Sequence, residues 1–392
     1  MAETIKVTII PYRRTGSGMT TYADYLLKSL VRAGIDLSVV GFGSPPKFVI
    51  QEGIEYYDIG TDPYRMDYIG GPWLTYFFIR EVVKKFFLRT SENSEVIHYV
   101  YPGANINIQR YRNSMEVVTS WGFASVNDII KLTSMDFNLR LLPIAMLGKL
   151  QHFYMDKTSY SKADLIIGTT SATINFWLKK IDGLSGKYIP LPVEVGSSKA
   201  ISKKQEAREI KFVVGERDLE RPRNNVIRAL RAFELLFKEG YKNFAIYLVG
   251  GHSEKLVNVV KSLASKGMNV LLLNYLPKME YDKILFNSDV ALVPRYILDQ
   301  GAYWVLEAMA HGSCVVASNL PAFTDFVFHG LNGLLVDPFS EHDIADKLKI
   351  ILNDYVLLEK LKKGAYNWVS ENHNLDVVGK EHLYVYKELL SR

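Results

Sequence analysis

Residues 288–316 read SDVALVPRYILDQGAYWVLEAMAHGSCVV, and this stretch predicts a strand, a loop, a helix and a second strand. The apolar run Val290–Val293 predicts a buried strand. A short helix is predicted over about Ala302–Ala310, since Gly312 is suited to end it and the apolar run Cys314–Ala317 follows at once. A strand, a glycine-containing loop and a helix N-terminus place free backbone N–H groups and the positive end of a helix dipole against an anion.

Two carboxylates bracket this helix N-terminus, Asp299 in the loop and Glu307 in the second helical turn. Because carboxylates repel phosphate, we interpret them as acceptors of hydrogen bonds from hydroxyl groups. Amides facing phosphate and carboxylates facing hydroxyls suit a nucleotide-sugar. A plain surface glutamate is the simpler interpretation of Glu307, but its apolar neighbours would make an unpaired buried charge costly.

The size and composition of the chain set broad limits on its function. Its 392 residues suffice for two domains, and the net charge of +5 does not demand a nucleic-acid partner. The one cysteine, Cys314, excludes an internal disulfide and is better read as a small core residue than as a nucleophile. With no signal peptide and no run of about 20 apolar residues, a cytoplasmic location is expected.

Strand-like and helical segments alternate along the chain, which predicts doubly wound parallel sheets. The strand-like segments of the first half are 5–10, 36–41, 54–59, 96–100, 117–120 and 164–169. A linker rich in small and charged residues follows, and the pattern restarts at Ile210. We predict two Rossmann-like domains, 1–195 and 205–370, with a ligand cleft between their facing strand ends, and a terminal helical segment, 371–392, that crosses back.

A short glycine-containing loop separates the first predicted strand from the first predicted helix. Gly16 and Gly18 lie there, directly after Arg13 and Arg14. The pair could be a tight turn alone, or a loop that lets a diphosphate or an acceptor approach the backbone closely. The third glycine and the downstream acid of a dinucleotide-binding fingerprint are missing, so NAD binding is not predicted.

Four segments, taken in order, carry a resemblance to a known family. They are FVVGERDLERPRNN at the start of the second domain, Asp299 and Glu307 followed by AMAHGSCVVAS, Asp325 followed by HGLNGLLVDP, and the closing YNWVSENHNLDVVGKEHLYVYKELL. In order and spacing these segments resemble the retaining GT-B glycosyltransferases of glycosyltransferase family four over most of the chain. The resemblance implies a GT-B fold, with two Rossmann-like doubly wound domains facing across a cleft.

The resemblance also implies roles for residues of the second domain. Arg217 would contact the donor pyrophosphate. Arg223 is preferred as the residue in place of the family's lysine, although Arg221 also lies near that position. Glu307 would bind the ribose hydroxyls. Asp299 replaces a glutamate that contacts the transferred sugar. The backbone amides that would face the phosphate belong to Gly301, Ala302 and Tyr303.

In the first domain, Trp121 of TSWGF stands where the family often has a histidine that touches the donor sugar. A tryptophan has no acceptor nitrogen. Either the sugar is recognised differently, or another residue does that work. Asp325 could equally be a turn acid or a ligand contact, while His98 and His311 lack metal-ligand spacing and are interpreted as ordinary strand-end and loop residues.

The implied reaction moves a sugar from a nucleoside diphosphate to an acceptor hydroxyl with retained configuration, as in hexosyltransferases of class EC 2.4. It needs no cofactor, no covalent protein nucleophile and no metal, because arginines and a helix N-terminus would stabilise the leaving diphosphate. A non-catalytic GT-B-like protein that binds a sugar nucleotide or a partner is the alternative, favoured by Trp121 and Asp299. A nucleotide-sugar 2-epimerase is a further alternative, although no convincing acid–histidine set is present.

Two basic, aromatic stretches, residues 73–90 and 139–157, bear on the acceptor. Their aromatic side chains could face the first domain's core while the lysines face water. Alternatively, the stretches could form amphipathic helices on an anionic inner membrane surface, which would suit a lipid-linked acceptor rather than a glycan. Both interpretations stay open at this point.

Overall fold

The structure is a computed structural model. It describes residues 4–12, 18–41, 52–58, 94–100, 105, 114–120, 150, 153–196, 209–221, 224–296 and 303–392. The chain divides into two compact units, one made of Met1–Pro192 with Leu375–Arg392 and the other of Val193–Asn374.

The first unit contains a parallel sheet with the strand order β3-β2-β1-β4-β5-β6-β7. Its strands are β1 (Lys6–Tyr12), β2 (Asp36–Gly41), β3 (Glu55–Asp58), β4 (Val96–Tyr99), β5 (Met115–Ser120), β6 (Leu165–Gly168) and β7 (Gly186–Tyr188). The apolar, β-branched runs form its centre because both faces of a parallel sheet are covered. Two details differ from the sequence prediction: β1 continues through Pro11, and β7 was not predicted.

Within the described part of the first unit, α1 (Gly18–Arg32) and α2 (Ser171–Leu178) are helices that precede the second unit in the chain. Gly34, with a φ of 77°, follows α1 in the left-handed conformation that glycine adopts without strain. Thr170 caps α2, since its side chain accepts a hydrogen bond from the backbone N–H of Thr173 at 3.1 Å. Residues 153–160 are also helical.

The second unit contains a parallel sheet with the strand order β10-β9-β8-β11-β12-β13. Its strands are β8 (Ile210–Asp218), β9 (Phe244–Gly251), β10 (Asn269–Leu273), β11 (Val290–Val293), β12 (Cys314–Ser318) and β13 (Gly333–Val336). From β8 the chain builds outward to β10, then returns to β11 on the other side of β8 and builds outward to β13. The order therefore reverses between β8 and β11, where open α/β sheets bind ligands at the carboxyl ends of the strands.

The helices of the second unit pack on this sheet. They are α3 (Val226–Lys238), α4 (Glu254–Ser265), α5 (Lys278–Asn287), α6 (Tyr303–Ala310), α7 (Pro321–Thr324), α8 (Glu341–Asn353) and α9 (Tyr355–Asn372). Edge-to-face contacts of Phe212 with Phe233 and Phe244 lie in the main core of this unit. Cys314 is fully buried in the same core, and burial raises the pKa of its thiol, which agrees with a packing role.

The last helix, α10 (Leu375–Leu390), belongs to the first unit and packs on α1. Gly379 allows this close approach, because a Cβ at that position would collide with the carbonyl oxygen of Ser29. A buried polar network also joins α10 to the sheet. His98 of β4 lies 2.7 Å from the hydroxyl of Tyr386 and 2.7 Å from that of Thr119.

The two domains are parallel-sheet α/β units, so the predicted pair of Rossmann-like doubly wound domains is confirmed. Among the helices that the structure describes, none has the length and apolar character needed to cross a bilayer.

Candidate functional site

The carboxyl end of β8 supplies the first group of candidate site residues. Gly215, Glu216 and Arg217 all lie within the strand, at a point where its register with β9 shifts. Gly250 of β9 has a φ of 149°, and a side chain there would collide with the carbonyl oxygen of Glu216. Arg217 is exposed. It lies inside the strand, not on a following loop, and makes no ion pair with any carboxylate in the part of the chain that the structure describes.

A buried ion pair joins the ends of β8 and β11. Arg295 follows β11 by two residues, and its Nε and Nη2 atoms donate to the two carboxylate oxygens of Glu216 at 2.7 and 2.6 Å. The side chains are 10% and 7% exposed. This two-point contact fixes both planar groups, so it holds the two strand ends together at the reversal of strand order.

Tyr281 of α5 lies against the end of β8. A Cβ at Gly215 would lie 2.5 Å from the Tyr281 hydroxyl and 3.4 Å from the indole of Trp304, the second residue of α6. Glycine is therefore required at position 215 for α5 and α6 to approach the strand this closely. The three residues bring β8, α5 and the first turn of α6 together.

Glu307 is the buried carboxylate of this region. Its side chain is 8% exposed, and its Oε1 atom lies 3.1 Å from Nζ of Lys278, the first residue of α5. Lys278 also contacts Asp282 one turn further along α5. The ring of His311 lies on the same side, with Nδ1 donating to the Glu307 carbonyl at 2.7 Å and Nε2 3.8 Å from Asp282.

The charges in this region shift two pKa values. Burial lowers the pKa of Lys278, but attraction to Glu307 and Asp282 outweighs this effect, so the pKa is raised and the ammonium stays charged. Burial, reinforced by the negative charges of Glu307 and Glu216, raises the pKa of Tyr281 well above its ordinary value. Tyr281 is therefore a neutral phenol that lies within the electrostatic reach of both carboxylates.

The predicted site residues fall into two sets. Arg217, Glu307 and Tyr303 are described, and Tyr303 is the buried first residue of α6. Gly18 is also described, as the first residue of α1 and not as part of the preceding loop. Six of the predicted residues lie outside the described residues: Gly16, Trp121, Arg223, Asp299, Gly301 and Ala302.

The remaining candidates have clear positions. Asp325 is the residue that ends α7, which fits its interpretation as a turn acid. A contact between Asp325 and a ligand stays a prediction. His98 was interpreted as an ordinary strand-end residue, but it is fully buried in the network that joins β4, β5 and α10. Across the ranges that are described, no group of three His, Cys, Asp or Glu side chains is arranged to hold a metal ion.

The sequence analysis missed Glu216, Arg295, Lys278 and Tyr281. Arg295 and Glu216 are 79 positions apart, so no local spacing connects them. The sequence did contain a weak signal for this pair, since a charged residue lies at the end of each of the two central strands. Neighbouring parallel strands place such residues side by side. Lys278 had no signal beyond its place at the start of a helix.

Comparisons with known proteins agree with this geometry. Residues 197–368 match the family described as Glycosyl transferases group 1. The matched range lies within the second half of the chain and is similar to this family. Lys278, Tyr281, Arg295 and Glu307 all lie within the matched range, as do the ends of β8 and β11.

Relatives and solved structures extend the comparison beyond this matched range. The uncharacterized glycosyltransferase MJ1069 of Methanocaldococcus jannaschii is 25% identical over 259 residues, which span 62% of this chain and 64% of that protein. The aligned part is thus less than two thirds of the relative's length.

Two solved structures cover nearly the whole chain. Sucrose-phosphate synthase of Thermosynechococcus elongatus has a TM-score of 0.73 at 16% identity, over 99% of this chain and 100% of that one. Anabaena Alr3699/HepE in complex with UDP-glucose has a TM-score of 0.67 at 15% identity, over 98% and 100%. At these identities the likeness shows the fold, which is GT-B, and together the findings support a GT-B glycosyltransferase.

Proposed function

We propose that this protein is a retaining glycosyltransferase that moves a sugar from a nucleoside-diphosphate sugar to an acceptor hydroxyl. The observation that carries the proposal is the buried carboxylate of Glu307, which lies beside the end of β8 inside a glycosyl transferases group 1 domain. A carboxylate is an acceptor-only group, suited to ribose hydroxyls and unsuited to a phosphate.

The proposed donor is held by charge and by backbone groups. Arg217 is exposed at the carboxyl end of β8, where its guanidinium can receive a diphosphate. The proposed donor site also uses the positive end of the α6 helix dipole, which adds to this attraction. These groups stabilise the charge that grows on the leaving diphosphate, so the proposed reaction needs no metal. Arg223 and Asp299 keep their proposed roles beside the phosphate and the transferred sugar.

The proposed retention of configuration rests on the resemblance to the retaining family, in which no protein nucleophile is expected. The acceptor oxygen attacks on the face from which the diphosphate departs, and an oxygen of the leaving phosphate takes the acceptor's proton. The bond between the anomeric carbon and the phosphate oxygen breaks as the new glycosidic bond forms. This route retains the anomeric configuration, and the sugar that we propose to be transferred is a hexose.

A glycan, a glycolipid or a lipid-linked molecule is the proposed acceptor, bound by the first unit. UDP-glucose bound to Anabaena Alr3699/HepE supports a UDP-sugar as the first donor to test. The basic, aromatic stretch 73–90 lies outside the described residues. Of 139–157, residues 153–157 are helical and Tyr154 is 67% exposed. Contact with the inner membrane surface stays a prediction.

The test is a thermal-shift screen of the full chain with UDP-, GDP- and ADP-sugars, followed by product analysis. A donor that binds the folded state raises the melting temperature by mass action. Transfer to an added acceptor, with the same anomeric configuration in donor and product by NMR, would establish the proposal. Tight binding without hydrolysis or transfer would instead identify a non-catalytic GT-B-like protein, and an inverted product would refute the retaining route.

A further inference from the structure

Lys278 connects two helices that meet beside the end of β8. It is the first residue of α5, yet its Nζ atom lies 3.1 Å from Glu307 Oε1 on α6. The lysine side chain is 51% exposed, whereas that of Glu307 is 8% exposed. Lys278 is therefore a partly exposed cation in contact with a buried carboxylate.

This contact matters because a buried carboxylate is unstable as an anion without a compensating charge. Among the described residues, two carboxylates contact Lys278, Asp282 on its own helix and Glu307 on α6. Both favour a charged lysine. Around them, His311 lies beside Asp282, and Tyr281 lies within the electrostatic reach of Glu307, Asp282, Glu216 and Tyr275. Lys278 thus supplies positive charge to two carboxylates that would otherwise repel each other.

Lys278 makes one ion pair within its own helix and a second ion pair to another helix, and the two differ in kind. The contact with Asp282 is an i,i+4 pair of the kind found on many exposed helices. The contact with Glu307 crosses to another helix, is made to a buried oxygen, and fixes the carboxylate from one side. It therefore limits the orientation of Glu307 and places a positive charge beside its carboxylate.

We propose that Lys278 is a positioning residue that holds Glu307 in the orientation of an acceptor for the ribose hydroxyls of the donor nucleotide. This inference rests on the proposed function. Lys278 needs no contact with the nucleotide for this role. It acts through Glu307, so its removal reduces the preference for a nucleotide with both ribose hydroxyls over the 2′-deoxy form.

The experiment compares the full-length wild type with Lys278→Met, Lys278→Arg and Lys283→Met. Methionine keeps most of the apolar stem without the charge, arginine keeps the charge, and Lys283 is an exposed lysine of the same helix. Calorimetry with UDP, GDP and ADP and their 2′-deoxy counterparts at pH 7.5 should show about tenfold weaker binding for Lys278→Met. Its ribo-to-deoxy affinity ratio should approach one. Lys278→Arg and Lys283→Met should keep both values.

A second measurement without nucleotide separates this inference from the proposed function. In Lys278→Met the contact between Lys278 and Glu307 is lost, so the melting temperature should fall below that of wild type. The change Glu307→Gln should then cost less in the Lys278→Met background than in the wild type, because the two side chains are coupled. If wild type binds no nucleotide while this coupling is present, the proposed function fails and the contact between Lys278 and Glu307 stands. Unchanged affinity ratios in Lys278→Met, or equal costs of Glu307→Gln in both backgrounds, would overturn the inference.

Discussion

Arg295 and Glu216 form a two-point ion pair, with N···O distances of 2.7 and 2.6 Å, at the place where the strand order of the second sheet reverses. Both side chains are nearly buried. The family resemblance directs attention to the neighbouring Arg217 alone. The ion pair shows that the residue before it turns inward and ties β8 to the segment after β11, while Arg217 is left exposed.

Removing one partner of this pair should destabilise the protein strongly. Arg295→Met or Glu216→Gln leaves a buried charge without its partner, and we expect a loss of about 3–5 kcal/mol in the free energy of unfolding. The double variant should lose much less than the sum of the two. Denaturant unfolding monitored by circular dichroism measures all three values. Additive losses would mean that the contact is not coupled in solution.

Gly215→Ala should disturb the approach of α5 to β8. The new methyl group would lie 2.5 Å from the Tyr281 hydroxyl, so the helix or the side chain must shift. We expect a loss of about 1–3 kcal/mol in the free energy of unfolding. In a Tyr281→Phe background the hydroxyl is absent, and the same glycine substitution should cost less. Equal costs in both backgrounds would place the strain elsewhere.

Glu307→Ala should weaken nucleotide binding, whereas a matched control variant should leave it nearly unchanged. We expect a loss of roughly 1–3 kcal/mol in the binding free energy, because the ribose hydroxyls lose a charged acceptor. Glu280→Ala is the control, since Glu280 is exposed on α5. Calorimetry with the best nucleoside diphosphate measures both variants, and an unchanged affinity for Glu307→Ala contradicts the assigned role.

The buried histidines of the first unit should make its stability depend on pH. Burial lowers the pKa of His382 from 6.5 to about 4, and burial together with nearby His382 lowers that of His98. Below pH 6.5 the unfolded chain binds protons that the folded chain does not, so stability falls as the pH decreases towards 4. For His382 the loss is about 3 kcal/mol over this range.

The control for this prediction is His382→Phe, which keeps a ring against His98 but cannot bind a proton. Its free energy of unfolding should depend less on pH between 6.5 and 4 than that of the wild type. Chemical denaturation at several pH values gives both slopes. Identical slopes would mean that His382 is protonated without cost in the folded protein.

Much of the fold could be predicted from the sequence because apolar runs and helix-ending glycines act locally. The strand Val290–Val293 was predicted with its observed ends, and the helix that follows is described over Tyr303–Ala310, within the predicted range. Strand β7 has three partly buried residues, GKY, too few for a period to be recognised. Its place at the sheet edge depends on pairing with β6.

Less of the candidate site could be predicted from the sequence, because the residues in contact there are far apart along the chain. Glu307 and Arg217 stood in motifs whose spacing could be read directly. Arg295 and Lys278 gain their roles from partners that only the folded sheet brings near. Asp299 and Trp121, on which the catalytic argument also draws, lie outside the described residues, so their roles stay predictions.

The helix α10 follows the whole second unit in the chain but completes the core of the first. A ribosome therefore releases all of Val193–Asn374 before the strands around His98 can acquire their last covering helix. During synthesis the first unit must wait, with one apolar face uncovered, while the second can already fold. Chaperone dependence and sensitivity to premature termination should consequently concentrate in the half of the protein that is translated first.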